Sequence, residues 1–472
     1  MNRRALALAV VALFALWASP AAAERYVAGS AGLGDPFFPL AGNGGYDVRH
    51  YSLDLGYPQG ENLLSGRAAI VARATQNLRS FNLDLRDMYT VSRVSVNGRR
   101  ASFVHSGQEL TVEPRPKLKA GRHFVVTVDY TGEPEPIEDP DESIEGWVPT
   151  DDGAFVVGEP QGAPGWFPAN DNPRDKATFD FEVTVPAGHT AIANGVLLWH
   201  RDHGGKSTWR WLERYPMSSY LATATNGVFQ TRFDRLPNGL PRYDAVDPNT
   251  RRRTADPPDP ALAMERLAAE PEIVSFFSDL YGPYPFDSVG GIVDWAPDVG
   301  YALESQTKPN YDRLPSAGTV VHELAHQWFG DSVAITEWPD IWLNEGFATW
   351  SEWIYSERHG GPTAQESFDE LYAIPEDTEQ GQDLWFPAPK ALPDASVLFS
   401  TPAYDRGAMT LQALRTKVGD DTFFRLMREW YRRNRNGNVT TADFIALAER
   451  VSGMRLGGFF RAWLFEPGKP AL

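Results

Sequence analysis

The sequence predicts an α+β protein in which an all-β saddle or sandwich domain precedes a mainly helical domain. Up to about residue 230 apolar and polar residues alternate, as from Phe179 to Val185, and this period of two is typical of antiparallel strands. Beyond residue 260 the apolar spacing lengthens to the three or four residues of a helix. We therefore predict a β domain over residues 24–230 and a helical domain over residues 231–472.

Local patterns predict individual elements in chain order. A strand is indicated by the alternation of Tyr51, Leu53 and Leu55, and tight turns are indicated by Asn97-Gly98 and Asn194-Gly195. Between residues 236 and 260 Pro and Asp are frequent and no hydrophobic period is present, so we expect a connection or an exposed loop. Helices are predicted over Met264–Leu280, with a kink or break at Pro271, and over Met409–Val418, Thr422–Tyr431 and Thr441–Val451.

The composition excludes several classes of protein. Of the 472 residues, 42% are hydrophobic and 22% charged, which suits packed domains and excludes a disordered or fibrous chain. Lys and Arg number 44 against 62 Asp and Glu, and this net charge of −18 repels a phosphate backbone, so we expect no nucleic-acid partner. Because the chain has no cysteine, any metal must be bound by His, Asp or Glu.

The first residues have the order of parts found in an export signal. Arg3 and Arg4 precede an apolar stretch from Ala5 to Trp17, and a run of three alanines ends at Ala23. The apolar stretch is shorter than the roughly 20 residues that cross a bilayer. A buried N-terminal helix, the alternative, does not explain this order. We predict a signal peptide over residues 1–23, cleaved near Ala23, and a secreted or otherwise extracytoplasmic protein without a membrane span.

Two of the nine histidines lie four residues apart in a segment with an apolar helical face. His322 and His326 would then project from the same side of a helix and could bind one Zn(II) ion. Zinc acidifies a bound water, and Glu323 is placed to accept a proton from that water as it attacks a carbonyl carbon. The spacing therefore predicts a hydrolytic zinc site with Glu323 as general base.

A catalytic zinc needs a third protein ligand and one open position. In a chain without cysteine this ligand is a His or a carboxylate, and Glu345, in a second predicted helix after Pro339, is the candidate. A lone Glu at this distance would usually be a surface charge. Beside the histidine pair, we predict that it is a ligand and that one Zn(II) ion is the cofactor.

The motif His322–His326, followed by Asn344–Gly346, resembles the gluzincin arrangement and specifically the M1 family of zinc aminopeptidases, which includes aminopeptidase N. The segments Trp166–Pro168, Gly282–Phe286 and Tyr404–Met409 are similar to the same family. The resemblance covers nearly all of the chain after the signal peptide. It implies a β-rich N-terminal domain packed on a thermolysin-like zinc peptidase domain, in a short form without the C-terminal domains of longer members.

The same resemblance implies roles for residues outside the histidine motif. Glu304 matches the carboxylate with which the family holds the α-ammonium group of the substrate, although its neighbours in Tyr301–Ser305 depart from the family pattern. Glu159 and Gln161 are candidates for a second group that contacts this amine. Tyr404 matches the tyrosine that stabilises the oxyanion.

Together these features predict a secreted zinc metallo-aminopeptidase that hydrolyses the N-terminal peptide bond of peptides. The expected partners are peptide substrates with a free N-terminus, and nothing in the sequence indicates an oligomeric state. A thermolysin-type zinc endopeptidase is an alternative, because it uses the same zinc chemistry without an amine-binding carboxylate. A non-catalytic secreted binding protein is a second alternative, although a structural zinc site normally fills its fourth position.

Overall fold

The computed structural model describes residues 25–58 and 60–472. It confirms the predicted order of a β-rich part followed by a mainly helical part. The signal peptide predicted over residues 1–23 lies outside the described residues. Within the described ranges, no helix combines the length and the apolar character that crossing a bilayer requires.

An eight-stranded sheet forms the body of the first part, and alternation places one face of each strand in the core. Every second residue of Ala177–Pro186, starting at Ala177, is buried. This strand runs parallel to Tyr46–Gly56, whereas the other neighbouring pairs are antiparallel. This exception to the predicted antiparallel pattern within the eight-stranded sheet joins strands far apart in the chain, so no hairpin sets their direction. In order, the strands are Val196–His203, Lys206–Met217, Ala177–Pro186, Tyr46–Gly56, Leu64–Ala74, His123–Gly132, Tyr89–Val96 and Arg99–Arg100.

Two smaller sheets complete the first part. One of them ends beside the site described below and has the strand order Ile137–Glu138, Ile144–Pro149, Ala154–Val157, Ala224–Gly227, Thr190–Ala193. The other has the order Val27–Ala28, Leu78–Asp84, Glu109–Glu113, Ser102–Ser106.

A five-stranded sheet opens the second part and corrects one prediction. The loop expected between residues 236 and 260 contains the strand Pro241–Val246, which is buried from Arg242 onward. A salt bridge to Arg232, whose Nε lies 2.7 Å from Oδ2 of Asp244, makes burial of this acidic strand possible. The predicted boundary after residue 230 falls at the first strand of this sheet. Its strand order is Gln230–Arg235, Pro241–Val246, Ile292–Val293, Asn310–Tyr311, Ala302–Leu303, and a separate parallel pair joins Val333–Ile335 to Gly437–Val439.

Ten α-helices make up most of the remainder of the described chain. The predicted break near Pro271 is confirmed, since one helix ends at Leu267 and the next has this proline in its first turn. The helices are α1 Pro260–Leu267, α2 Glu270–Tyr281, α3 Ala317–His326, α4 Trp342–Arg358, α5 Ala364–Tyr372, α6 Glu379–Trp385, α7 Gly407–Val418, α8 Asp420–Asn434, α9 Thr441–Ser452 and α10 Gly457–Phe460. Short 3-10 turns span Ala163–Gly165, Ser219–Leu221, Trp338–Asp340 and Ala395–Val397, and π-helical turns span Pro402–Arg406 and Arg461–Phe465.

Candidate active site

Helix α3 presents the two histidines of the motif to one side. The Ser316 hydroxyl caps its first turn by accepting a hydrogen bond from the backbone N–H of Thr319 at 3.0 Å. Its apolar residues are buried, which fixes the rotation of the helix about its axis. As the four-residue spacing predicts, the rings of His322 and His326 lie side by side, with centroids 4.7 Å apart.

Helix α4 packs against α3 and supplies a carboxylate to the same point. Glu345 lies in its first turn, where Oε2 is 3.2 Å from Nε2 of His322 and 3.4 Å from Nε2 of His326. Burial raises the pKa of Glu345, but the imidazoles outweigh this effect and lower the pKa to about 2. The structure thus brings together the three residues that the sequence predicted as metal ligands.

The second nitrogens of the imidazoles show that this donor set suits zinc. Nδ1 of His322 lies 2.7 Å from Oε1 of Glu352, and Nδ1 of His326 lies 3.0 Å from the carbonyl oxygen of Phe329. Each Nδ1 can donate to its acceptor, which leaves both Nε2 lone pairs directed towards Glu345. Two imidazoles and one carboxylate with an open position form the ligand set of a catalytic zinc site.

Glu352 was not predicted from the sequence, although its spacing from Glu345 could have indicated it. It follows Glu345 by two helical turns, so a helical sequence places both carboxylates on the same side of α4. No such local signal pointed to the carbonyl of Phe329, because that group lies just beyond the end of α3.

The proposed base and amine-binding carboxylates lie within the same small region. Oxygen atoms of Glu304 and Glu323 and a ring nitrogen of His326 lie within 4.8 Å of one another, and so do oxygens of Glu159, Glu304 and Glu345. Burial raises the pKa of Glu323 to about 8, against the opposing effect of the two histidines.

Glu159 and Glu304 have an unusual environment for carboxylates. They are 7% and 2% exposed, and in the described part of the chain Oε1 of each has no hydrogen-bond partner. Burial raises the pKa of both, and the charge of Glu304 raises that of Glu159 further. Both side chains line a cavity of about 460 Å³ that also contains the metal-ligand candidates. A buried cationic group between them would supply the missing partner.

Tyr404 also lines this cavity and lies in the π-helical turn before α7. Its ring is stacked near that of His322, with centroids 6.0 Å apart. Helices α4 and α7 can pack closely beside this turn because glycines meet at their contact. A Cβ added at Gly346 of α4 would lie only 2.7 Å from Cα of Gly407, the first residue of α7. The buried guanidinium of Arg406 donates to four backbone carbonyls and so anchors the turn.

Gln161 is the one predicted site residue that the structure does not bring into the cavity. Its side-chain amide donates to Oδ1 of Asp139 at 2.6 Å, and its backbone N–H donates to Glu145 at 3.0 Å. Residues that sequence reasoning did not identify line the cavity instead, among them Asp141, Glu142 and Phe399.

Comparison with known families and proteins agrees with this geometry. The profile of the Peptidase M1 N-terminal domain matches residues 48–221, and that of the Peptidase family M1 domain matches residues 300–463. The chain is similar to an M1 zinc metallopeptidase from Deinococcus radiodurans, with 29% identity and a TM-score of 0.81 over 93% of this chain and 99% of the other. A structure of a mutant of that enzyme with a Tyr-Ser-Ala substrate matches this chain with the same identity and coverage and a TM-score of 0.81.

Curated relatives are more distant and longer. Aminopeptidase M1-B of Oryza sativa subsp. japonica is 26% identical over 65% of this chain, and glutamyl aminopeptidase of Bos taurus is 24% identical over 90%. The matched regions make up 36% and 47% of these two proteins, so the chain spans between a third and a half of their length.

Proposed function

Because the chain belongs to peptidase family M1 and carries its zinc ligand set, we propose that it is an aminopeptidase that removes the first residue of peptides. One observation carries the proposal, namely the pair of buried carboxylates, Glu159 and Glu304, beside the metal ligands. A substrate ammonium group would bind both side chains and relieve the repulsion between them.

The distance between this pair and the metal ligands supports cleavage of the first peptide bond. Glu159 and Glu304 each place an oxygen within 4.8 Å of an oxygen of Glu345. In a peptide the α-amino nitrogen is about 2.5 Å from the carbonyl carbon of the same residue. A bound ammonium group therefore leaves only the first carbonyl within reach of the metal centre.

His322, His326 and Glu345 would hold the zinc ion, and Glu352 and the carbonyl of Phe329 would orient the two imidazoles. When bound, zinc supplies Lewis acidity that polarises the substrate carbonyl and acidifies water. Glu323, buried beside the histidines, accepts the proton of the attacking water and then donates it to the leaving amine.

Tyr404 completes the arrangement from beside His322, with ring centroids 6.0 Å apart. Negative charge develops on the carbonyl oxygen during attack, and a phenol O–H held in a partly buried site donates to that oxygen without reorganisation. Burial and the surrounding carboxylates raise the pKa of Tyr404 well above 10.0, so the hydroxyl keeps its proton at neutral pH.

The test uses purified protein and aminoacyl fluorogenic amides, each beside its N-acetylated twin, with and without a chelator. We expect cleavage of the free-amine substrates alone, abolished by the chelator and restored by zinc. Equal cleavage of the acetylated twins would refute an aminopeptidase and favour a thermolysin-type endopeptidase. Chelator-insensitive cleavage would refute the zinc site.

Two substitutions in the loop that follows Ala154–Val157 distinguish an amine-binding role of Glu159 from a structural role of this loop. Glu159→Gln keeps the size of the side chain but removes its charge, and we expect kcat/KM on free-amine substrates to fall about 30-fold or more. Gln161→Ala is the matched control, since that side chain faces Asp139 rather than the cavity. Equal losses in both variants would contradict the assignment to Glu159.

We also propose that the protein is exported. The proposal is supported by the basic start, apolar middle and small-residue end of residues 1–23. Mass spectrometry of the protein recovered from an extracytoplasmic fraction should find an N-terminus near residue 24. Full-length protein retained in the cytoplasm would contradict this proposal without affecting the peptidase assignment.

A further inference from the structure

The cavity extends beyond the metal centre to residues that the proposed chemistry does not use. Around Glu159 and Glu304, which we call the amine end, it is bounded by an apolar wall of Val299, Tyr301, Ala302 and Phe399. Asp141 and Glu142, which we call the acidic rim, line the same cavity. Among the described residues that line the cavity, none is a lysine or an arginine.

The acidic rim is built on the same strand pair as the amine end. It precedes the strand Ile144–Pro149, which pairs with Ala154–Val157, and the latter strand leads directly to Glu159. Glu145 ties the two segments together, because its carboxylate accepts the backbone N–H of Gln161 at 3.0 Å. Asp141 and Glu142 lie in the turn that connects Ile137–Glu138 to Ile144–Pro149, and the pairing of these strands holds both ends of the turn.

Hydrogen bonds from Ser143 hold Asp141 in place, and the wall contacts the strand that follows. Its Oδ1 accepts hydrogen bonds from the backbone N–H and the hydroxyl of Ser143, at 3.1 and 2.6 Å. From the wall, the hydroxyl of Tyr301 donates to the carbonyl oxygen of Ile144 at 3.3 Å. This hydrogen bond joins the wall to the strand that follows the rim.

The first side chain of a bound peptide leaves the Cα atom next to the amine, so it must occupy this part of the cavity. Its apolar stem would contact the wall and its tip would reach the rim. A long aliphatic chain that ends in a cation fits both surfaces, whereas an acidic tip would be repelled by the rim and by Glu159.

We infer that the enzyme prefers substrates whose first residue is arginine or lysine, with Asp141 and Glu142 as the residues that determine this specificity. The inference rests on the proposed aminopeptidase function. Asp141 is half-buried and Glu142 is exposed, so solvent and salt weaken each interaction. We therefore expect the cation to contribute a factor of about ten rather than several orders of magnitude.

The decisive comparison is between arginine and citrulline fluorogenic amides, because citrulline has nearly the shape of arginine without its charge. In the wild-type enzyme kcat/KM should be about tenfold higher for arginine, and added salt should reduce the ratio. The double variant Asp141→Asn, Glu142→Gln should bring the ratio close to one through a fall in kcat/KM for the arginine amide. Asn at position 141 keeps the oxygen that accepts the Ser143 hydrogen bonds.

A matched control removes an acidic charge elsewhere on the same strand pair. Asp151 is exposed in the turn at the opposite end of strand Ile144–Pro149, and Asp151→Asn should leave the arginine-to-citrulline ratio at the wild-type value. An unchanged ratio in the double variant, or a wild-type ratio of one, overturns the inference. Chelator-sensitive cleavage of the leucine amide in either case would leave the aminopeptidase proposal intact, whereas no cleavage of any free-amine substrate would refute that proposal itself.

Discussion

Glu352 is predicted to control how tightly the site binds zinc, although it lies outside the ligand set. Its Oε1 is 2.7 Å from Nδ1 of His322, which is shorter than the 3.2 Å from Nε2 of the same imidazole to Glu345. Replacement by alanine removes the acceptor and frees the ring to rotate. Replacement by glutamine keeps an acceptor oxygen at the same place and removes only the charge.

The expected magnitude follows from the kind of contact. A hydrogen bond to a charged group contributes about 1.5–3 kcal/mol, equivalent to between tenfold and 150-fold in a binding constant. The side chain of Glu352 is 33% exposed, and solvent screening places the effect near the lower end of this range. We therefore expect zinc affinity to fall about tenfold in Glu352→Ala and by less in Glu352→Gln.

Competition between the protein and a chromophoric zinc chelator measures this affinity directly, without relying on turnover. Glu370→Ala is a suitable control, because Glu370 is an exposed carboxylate on the neighbouring helix α5. Circular dichroism of the zinc-free variants verifies that they remain folded. Wild-type zinc affinity in a folded Glu352→Ala protein would refute the orienting role.

Three further predictions follow from other contacts. Tyr404→Phe should lower kcat about a hundredfold with little change in KM, because its hydroxyl acts only when charge develops, and steady-state kinetics that show a change in KM alone would contradict this. Gly346→Ala should destabilise the protein by about 1–3 kcal/mol, since the new methyl group would lie 2.7 Å from Cα of Gly407, and an unchanged melting temperature would disprove the close packing. Burial raises the pKa of Glu213 from 4.5 to about 8, so its contribution to stability is complete below pH 4.5 and is lost as the pH rises through 8. Thermal melts should show the stability of Glu213→Gln rising relative to wild type between pH 5 and 9, and parallel curves would exclude this carboxyl as the cause.

The zinc ligands could be predicted from the sequence because their arrangement depends on residue spacing along a helix. The spacing of His322 and His326 and the placement of Glu345 in the first turn of a helix depend on helical periodicity, which is the same in every protein. The same argument extends to Glu352, whose position two turns after Glu345 could have been used. The β-rich first part followed by a helical part was also predicted, since strand and helix periods are properties of short windows.

Other features could not be read from short windows. The strand Pro241–Val246 has a loop-like composition, and only its neighbours and the salt bridge to Asp244 make it a buried strand. The parallel pairing of Tyr46–Gly56 with Ala177–Pro186 joins segments far apart in the chain. Such pairings depend on which surfaces meet after the sheets assemble.

The residues of the cavity divide in the same way, into those that local sequence predicted and those that only the packing of distant segments brought together. Local spacing predicted the candidate zinc ligands and the proposed base, and resemblance to the family pointed to Glu304 and Tyr404. Folding of the whole chain was needed to show that the Gln161 side chain donates to Asp139 and that Asp141 lines the cavity. Ligand spacing is set along a helix, whereas the cavity wall forms where a strand pair, an extended segment and a helical turn from distant parts of the chain pack together.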